Sequence, residues 1–221
     1  FLLKNCFKII FNSNWSKKRF LEGMKSDYIN SEKLIVINQS SKKNKINLKN
    51  KKNIITFVGK LNRSKGYDLF GKAVIKILKK HKNWKAYVAG DEPRDKIDFN
   101  HARLVKLGFI NHTEIINLYK ISSIAVVCSR WEEPFGRTAL EASSRGCAVI
   151  ITNRGGLPEA ASFGIKMNNL EPKTLFKAID KLILDKNFLC HVQKKTLKKF
   201  KLTNDCISKN IDNYRKELFK S

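Results

Sequence analysis

Apolar residues follow two periods along this chain, and the two alternate. From residue 54, "IITFVG" is a short continuous apolar run closed by Gly59, as expected of a strand buried on both faces. "DLFGKAVIKILKK" (68–80) follows, with apolar positions at 69, 70, 73, 74, 77 and 78, one face of a helix. The alternation continues with strands over 85–90, 102–108, 123–129, 147–152 and, more weakly, 164–167. Helices fall over 113–120, 136–146 and 174–185. Two terminal helices are expected over 187–201 and 204–219, the last with Ile207, Ile211, Tyr214 and Leu218 on one face. This pattern predicts an α/β fold: a parallel sheet with helices on both faces, plus carboxyl-terminal helices. Ligands in such sheets sit at the carboxyl ends of strands. The loops after Val58, Val88, Leu107, Cys128 and Ile151 are therefore the ones to inspect.

The first 53 residues read differently. A strand over 7–14 leads into a short helix over 16–24, with Ser16 as the candidate N-cap, and a second strand over 32–38. Residues 39–53 are polar, rich in Lys and Asn and without period, which predicts a linker or exposed loop. Two units are expected: 1–53 and 54–221. Residue 1 is Phe rather than Met, which reads as a piece of a longer chain.

Composition narrows the partners. The chain carries 45 Lys plus Arg against 19 Asp plus Glu, a net charge of +26. A basic chain suits nucleic acid, an anionic membrane surface or phosphorylated substrates. A general bias toward Lys, Asn and Ile accounts for the charge equally well. The lysines are spread, and no recognition helix or aromatic-interleaved platform favours nucleic acid. No apolar run of about 18 residues marks a membrane span, and "FLLKNCFKIIF" lacks the basic start and cleavage site of a signal peptide. Five scattered cysteines without a Cys-x-x-Cys pair indicate reduced, cytosolic thiols. The four histidines are dispersed, and no metal site is expected.

Three loops carry candidate chemistry. "GKLNRSKGYD" (59–68) places Gly59, Lys60, Arg63, Lys65 and Gly66 between a strand and a helix, which suits an anion but lacks Walker spacing. In "WEEPFGRTALEA" (131–142), Pro134 and Gly136 shape a turn, and Arg137 and Thr138 open a helix whose free amides suit a phosphate. Glu133 lies before that helix and Glu141 in its second turn; carboxylates there suit hydroxyl groups beside a phosphate. Glu132 is explained as an acid complementing the helix dipole, worth about 0.3–1 kcal/mol. "NRGGLPEAA" (153–161) brings Gly155 and Gly156 after the next strand, with Pro158 and Glu159 opening a short helix.

The order strand-"GKLNRSKG", "SRWEEPFGRTALEA", "NRGGLPE" resembles the carboxyl-terminal domain of GT-B glycosyltransferases of the group 1 type (family 4), over about residues 54–185. Glu133 and Glu141 match the paired glutamates of its retaining members. The resemblance implies a Rossmann-like domain that holds a nucleotide-diphosphate sugar, without other cofactor or metal. Lys60 and Lys65 would pair with the diphosphate, with Lys60 standing where many relatives have Arg. Phe135, Gly136 and Arg137, with Thr138, would offer backbone amides. Glu133 would hold hydroxyls of the transferred hexose, Glu141 those of the ribose, and the Gly155–Gly156 loop would close near the diphosphate. Glu133 and Lys65 are the residues this assigns to catalysis, by positioning and by stabilising the departing diphosphate.

The family layout also implies that residues 1–53 are the end of an acceptor-binding domain, that the strand over 7–14 has few partners, and that the chain alone does not transfer sugar. Its acceptor would be a glycan or a lipid-linked molecule in surface polysaccharide or lipopolysaccharide synthesis. The site would lie in the cytoplasm, with peripheral attachment to the inner face of the membrane left open. A non-catalytic nucleotide-sugar-binding module and a basic nucleic-acid or membrane-surface binder are the competing readings. Paired glutamates argue against the last, because phosphate-backbone binding has no use for them.

Overall fold

The computed structural model describes residues 5–24, 31–42 and 45–219. The elements are, in chain order, β1 (Ile9–Phe11), α1 (Asn14–Leu21), β2 (Leu34–Val36), β3 (Lys52–Val58), α2 (Tyr67–Lys80), β4 (Lys85–Ala89), β5 (Leu104–Lys106), α3 (His112–Ile121), β6 (Ser122–Val127), α4 (Arg137–Ser144), β7 (Ala148–Thr152), α5 (Leu157–Ala160), β8 (Ile165–Met167), α6 (Pro172–Leu184), α7 (Lys186–Lys199) and α8 (Asn204–Leu218).

Six parallel strands build the central sheet in the order β5-β4-β3-β6-β7-β8. The chain winds outward from β3 through β4 to β5, then returns to lay β6 on the other side of β3. Strand order thus reverses between β3 and β6, where a doubly wound sheet leaves a crevice at its carboxyl edge.

The period-2 and period-3.6 patterns explain the two cores. Along β6, Ile124, Val126 and Cys128 pack on one face with α2, α6 and α7, while Ala125 and Val127 pack on the other with Tyr119 of α3 and with α4 and α5. In α2, Leu69, Phe70, Ala73, Val74, Ile77 and Leu78 are all buried. Arg103 closes the end of that helix: its guanidinium donates to the carbonyls of Leu78, His81 and Trp84, which lack helical partners. In α8, Ile207 is buried but Ile211 is 40% exposed, so the expected face is only partly covered; the side chain of Leu218 lies outside the described residues.

The first 53 residues depart from expectation in three ways. Ser13, not Ser16, caps α1, because its Oγ accepts from Ser16 N, and the helix starts two residues earlier. The segment taken as an aperiodic linker holds a 3-10 turn (Leu48–Asn50), and β3 already begins at Lys52. The strand expected to have few partners pairs in parallel with β2, Ile9 with Leu34 through Phe11 with Val36. It is also docked on the main body. Ser13 Oγ and Ser16 Oγ donate to Pro134 O at 2.5 and 3.1 Å. The Glu159 carboxylate accepts from the amides of Asn14 and Trp15 at 2.8 and 3.0 Å, serving the free N–H groups of α1 from across the interface.

Candidate functional site

Backbone close approach shapes the carboxyl edge of the sheet. Gly59 N donates to Ala89 O, and Gly90 N to Gly108 O. A Cβ on Gly90 would stand 2.0 Å from Gly59 O, so the ends of β3 and β4 meet only because side chains are absent there. On the other side of the switch point, Gly155 and Gly156 lie against the turn at 132–135. A Cβ on Gly155 would fall 2.4 Å from Glu133 O, and Gly156 N donates to that same oxygen at 2.7 Å.

Two cavities open at this edge and share Val58 and Gly59. The larger, about 340 Å³, is lined by Lys65, Ser129, Glu133 and the Phe135–Thr138 turn, with Asn12 and Gln39 from the amino-terminal segment. No side chain caps α4 at Gly136, so its first amides are available at the cavity wall. Lys65 Nζ donates to Glu133 Oε1. The smaller cavity, about 240 Å³, is an apolar slot between Ala89, Gly90, Phe109, Ile110 and Ile115, with Lys60 and Asp91 at its border. Phe109 is 80% exposed there.

The basic loop and the acidic loop are held in fixed relation. Arg130 N and Trp131 N both donate to Ser64 O, and the Arg130 guanidinium forks onto Asp68 at 2.6 and 2.8 Å. Thr152 Oγ1 donates to Ser129 O, tying in the loop after β7.

The sequence-derived residues therefore divide. Lys65, Glu133, Gly136, Arg137 and Thr138 meet at one cavity, with Gly59 at its junction with the slot. Phe135 contributes backbone only; its ring is in the core. Lys60 does not join Lys65; it borders the slot. Gly155 and Gly156 brace Glu133 from behind rather than lining the cavity. Glu132 is not simply a dipole partner: it accepts from Arg19 of α1 at 3.2 Å.

Glu141 is 5% exposed and accepts from Arg137 at 2.9 Å and from His112 Nε2 at 3.1 Å. Its carboxylate lines neither cavity; it is tied to Arg137, on the wall of the larger one, and to His112 at the start of α3. It has a second duty. Burial pushes the Arg145 guanidinium below its ordinary value, and the charge of Glu141 opposes that shift.

Asn12, Gln39, Phe109, Ile110 and Ile115 were not assigned from sequence. Phe109 had a signal, an apolar residue directly after a strand-ending glycine at the carboxyl edge. Asn12 and Gln39 had none, because only tertiary docking brings them to the cavity.

A family model for Glycosyl transferases group 1 matches residues 38–200. The chain belongs to the glycosyl transferases group 1 family. It is 32% identical over 154 residues to an uncharacterized glycosyltransferase of Methanocaldococcus jannaschii, covering 65% of this chain but 39% of that protein. Among solved structures, the carboxyl-terminal domain of a group 1 glycosyl transferase from Francisella tularensis aligns at 28% identity and a TM-score of 0.58, over 66% of this chain and 82% of that one. Anabaena HepE, solved with UDP and glucose, aligns at 17% identity and a TM-score of 0.75, over 97% of this chain and 64% of that one. The parallel sheet and its flanking helices are thus the architecture of GT-B glycosyltransferases.

Proposed function

We propose that this chain supplies the donor site of a retaining glycosyltransferase that moves a hexose from a nucleoside-diphosphate sugar to a glycan or lipid-linked acceptor in surface polysaccharide or lipopolysaccharide synthesis. The observation that carries this is the pair of cavities joined at Val58 and Gly59, one holding Lys65, Glu133 and Arg137 and one an apolar slot. A flat base suits the apolar slot. Glu141, held by Arg137 of the larger cavity's wall, suits the ribose hydroxyls. The diphosphate passes Gly59, between the amides of α4 and the ammonium group of Lys65, with Lys60 at the border of the slot. The hexose then lies against Glu133. HepE, described with UDP and glucose, supports this choice of ligand class.

In this reading the protein positions and the phosphate reacts. Glu133 orients the hexose by its hydroxyls. Lys65 and the α4 amides stabilise the charge that grows on the leaving diphosphate. The acceptor hydroxyl attacks the anomeric carbon on the face the diphosphate leaves, and its proton passes to the departing phosphate. The donor is a substrate, and no cofactor or metal enters the scheme. Residues 1–53 belong to an acceptor-side domain, and residues 54–221 to the donor domain. A non-catalytic nucleotide-sugar binder would share this geometry; turnover with an acceptor separates the two readings. Free thiols at Cys6, Cys128, Cys147, Cys190 and Cys206 support a reducing, cytoplasmic setting.

The test is a thermal-shift panel of nucleoside diphosphates and nucleotide sugars. A cognate ligand at 100 times its dissociation constant adds about 2.7 kcal/mol to the folded state and raises Tm. No shift with any nucleotide would sink the proposal.

A further inference from the structure

The amino-terminal segment does more than dock beside the donor cavity, because Gln39 borders it. Its backbone is held on both sides. Ile37 N donates to Phe11 O, Asn38 Nδ2 donates to Asn12 O at 3.0 Å, and Ser41 N donates to Leu202 O. Ser41 Oγ also pairs with Ser144 Oγ inside the fold. Against this fixed frame the side-chain oxygen of Gln39 is closed off from solvent and accepts no hydrogen bond among the described residues. Native structures leave few such atoms unpaired, because each costs about 1–3 kcal/mol. The terminal torsion of a glutamine is soft, so a small swing turns this amide toward the cavity its own side chain borders.

The chemistry of that oxygen selects what it can meet. An amide oxygen only accepts, so a phosphate, which offers acceptors alone, gains nothing from it. Lys65 and the α4 amides are donors and serve phosphate. Glu133 and Gln39 Oε1 are acceptors and serve hydroxyls. A glutamine also carries two N–H donors, which suits the mixed donor and acceptor groups of a sugar ring. Gln39 borders the cavity of Glu133 and not the apolar slot, which places it on the sugar side of the donor and away from the base.

We propose that Gln39 is a specificity residue for the donor, whose side-chain amide hydrogen-bonds a hydroxyl of the sugar to be transferred, in the cavity it shares with Glu133. The proposal rests on the nucleotide-sugar reading of this site. The experiment is calorimetry on the full 221-residue chain with UDP and UDP-glucose, or with whichever nucleoside diphosphate and nucleotide sugar the thermal panel selects. The variants are Gln39→Ala and Gln39→Met. The second keeps the side chain's length and removes its hydrogen bonds, so it separates recognition from packing, and melting curves report that each is folded. Both variants are expected to bind the nucleotide sugar about 3–10-fold more weakly, the scale of one neutral hydrogen bond. The free diphosphate is expected to change by less than about twofold. Deoxy analogues of the sugar supply the second arm: for the analogue lacking the contacted hydroxyl, Gln39→Met and the parent should bind alike. Equal affinity of parent and Gln39→Met for the intact nucleotide sugar, with UDP bound by both, overturns this proposal alone and leaves a trapped water as the partner of Oε1. Equal weakening of UDP and UDP-glucose overturns it too, by moving Gln39 to the phosphate. Failure of the parent chain to bind any nucleotide removes both this proposal and the donor reading beneath it.

Discussion

Lys65 Nζ lies 2.5 Å from Glu133 Oε1, so the cation proposed for the diphosphate and the acid proposed for the hexose hold each other. The pair joins the loops after β3 and β6 across the switch point. It also gives the two residues opposite expected behaviour. Lys65→Ala removes the phosphate's cation and leaves Glu133 facing an anion, so nucleoside-diphosphate binding should weaken by about 1.5–3 kcal/mol. An unchanged dissociation constant with the fold intact would take this loop out of the site.

Glu133→Gln should act the other way on free nucleotide. It releases Lys65 for the phosphate, so UDP should bind as well as before or better, while UDP-glucose binds more weakly because a hydroxyl acceptor has lost its charge. Calorimetry with both ligands checks this. Parallel weakening of both would contradict the division of labour.

The proposed ribose role of Glu141 and its structural one read out separately. Glu141→Gln should weaken UDP and UDP-glucose equally, since both contain the ribose. It should also lower stability by about 1–3 kcal/mol, because Arg137 and His112 lose a charged partner and the buried Arg145 loses the carboxylate that offsets its desolvation. Urea unfolding at neutral pH measures the second effect. Lost stability with unchanged nucleotide affinity would leave only the structural role.

Fold and site were legible in the sequence to different depths. Short buried strands and amphipathic helices are local patterns, and the sheet with its helical faces could be read directly from them. The loops after β3, β6 and β7 could be located because ligands gather at strand carboxyl ends. What local pattern cannot show is which way a turn sends a side chain. Lys60 and Lys65 share one loop, yet they border different cavities. Glu132 and Glu133 are adjacent, yet one pairs with Arg19 of α1 and the other with Lys65. Gln39 lay in a stretch read as linker, and tertiary contacts such as those of Ser41 with Leu202 and Ser144 bring that segment to the site.

The docking of α1 makes a prediction of its own. Glu159 accepts the two leading amides of α1, the work of an N-cap done from another element. Glu159→Ala should cost about 0.5–2 kcal/mol and speed hydrogen exchange in residues 14–21, with β6 and β7 unaffected. Unchanged protection of α1 would show that the serine contacts to Pro134 O suffice.

Acid stability should depend on Asp180, which accepts from Lys80 at 2.8 Å and His81 Nε2 at 2.7 Å. Burial alone would raise this carboxyl, but the hydrogen bonds from Lys80 and His81 outweigh it and hold it below the ordinary aspartate value. A group depressed on folding stabilises the protein above its unfolded pKa of about 3.9 and loses that contribution as pH falls through the lower folded value. Asp180→Asn should therefore be less stable than the parent by about 1–2 kcal/mol at pH 7, with the gap closing as pH drops below about 4. A gap that stays constant to pH 2 would rule out this carboxylate as the cause.

The last prediction concerns the positive charge. Lys198, Lys199 and Lys201 border a cavity of about 580 Å³ whose walls include Phe163, Phe200 and Leu202. The ammonium groups of Lys195 and Lys199 lie 5.7 and 5.8 Å from the Phe163 ring centroid. Glu159 also borders this cavity, but it is engaged by α1. Cations around an apolar hollow suit the headgroup region of an anionic bilayer, where each lysine near the surface adds about 1 kcal/mol at moderate salt. The chain is expected to float with vesicles containing phosphatidylglycerol and not with phosphatidylcholine alone, and to lose that binding as salt rises toward physiological strength. Replacing Lys198, Lys199 and Lys201 together by Gln should weaken partition by about 10–100-fold while leaving the Kd for UDP unchanged. Nucleic acid would compete through the same lysines without sequence preference. Vesicle binding that survives the triple substitution would move the contact elsewhere on the surface. Absence of salt-sensitive binding in the parent would leave these lysines as a solvated face of a lysine-rich chain.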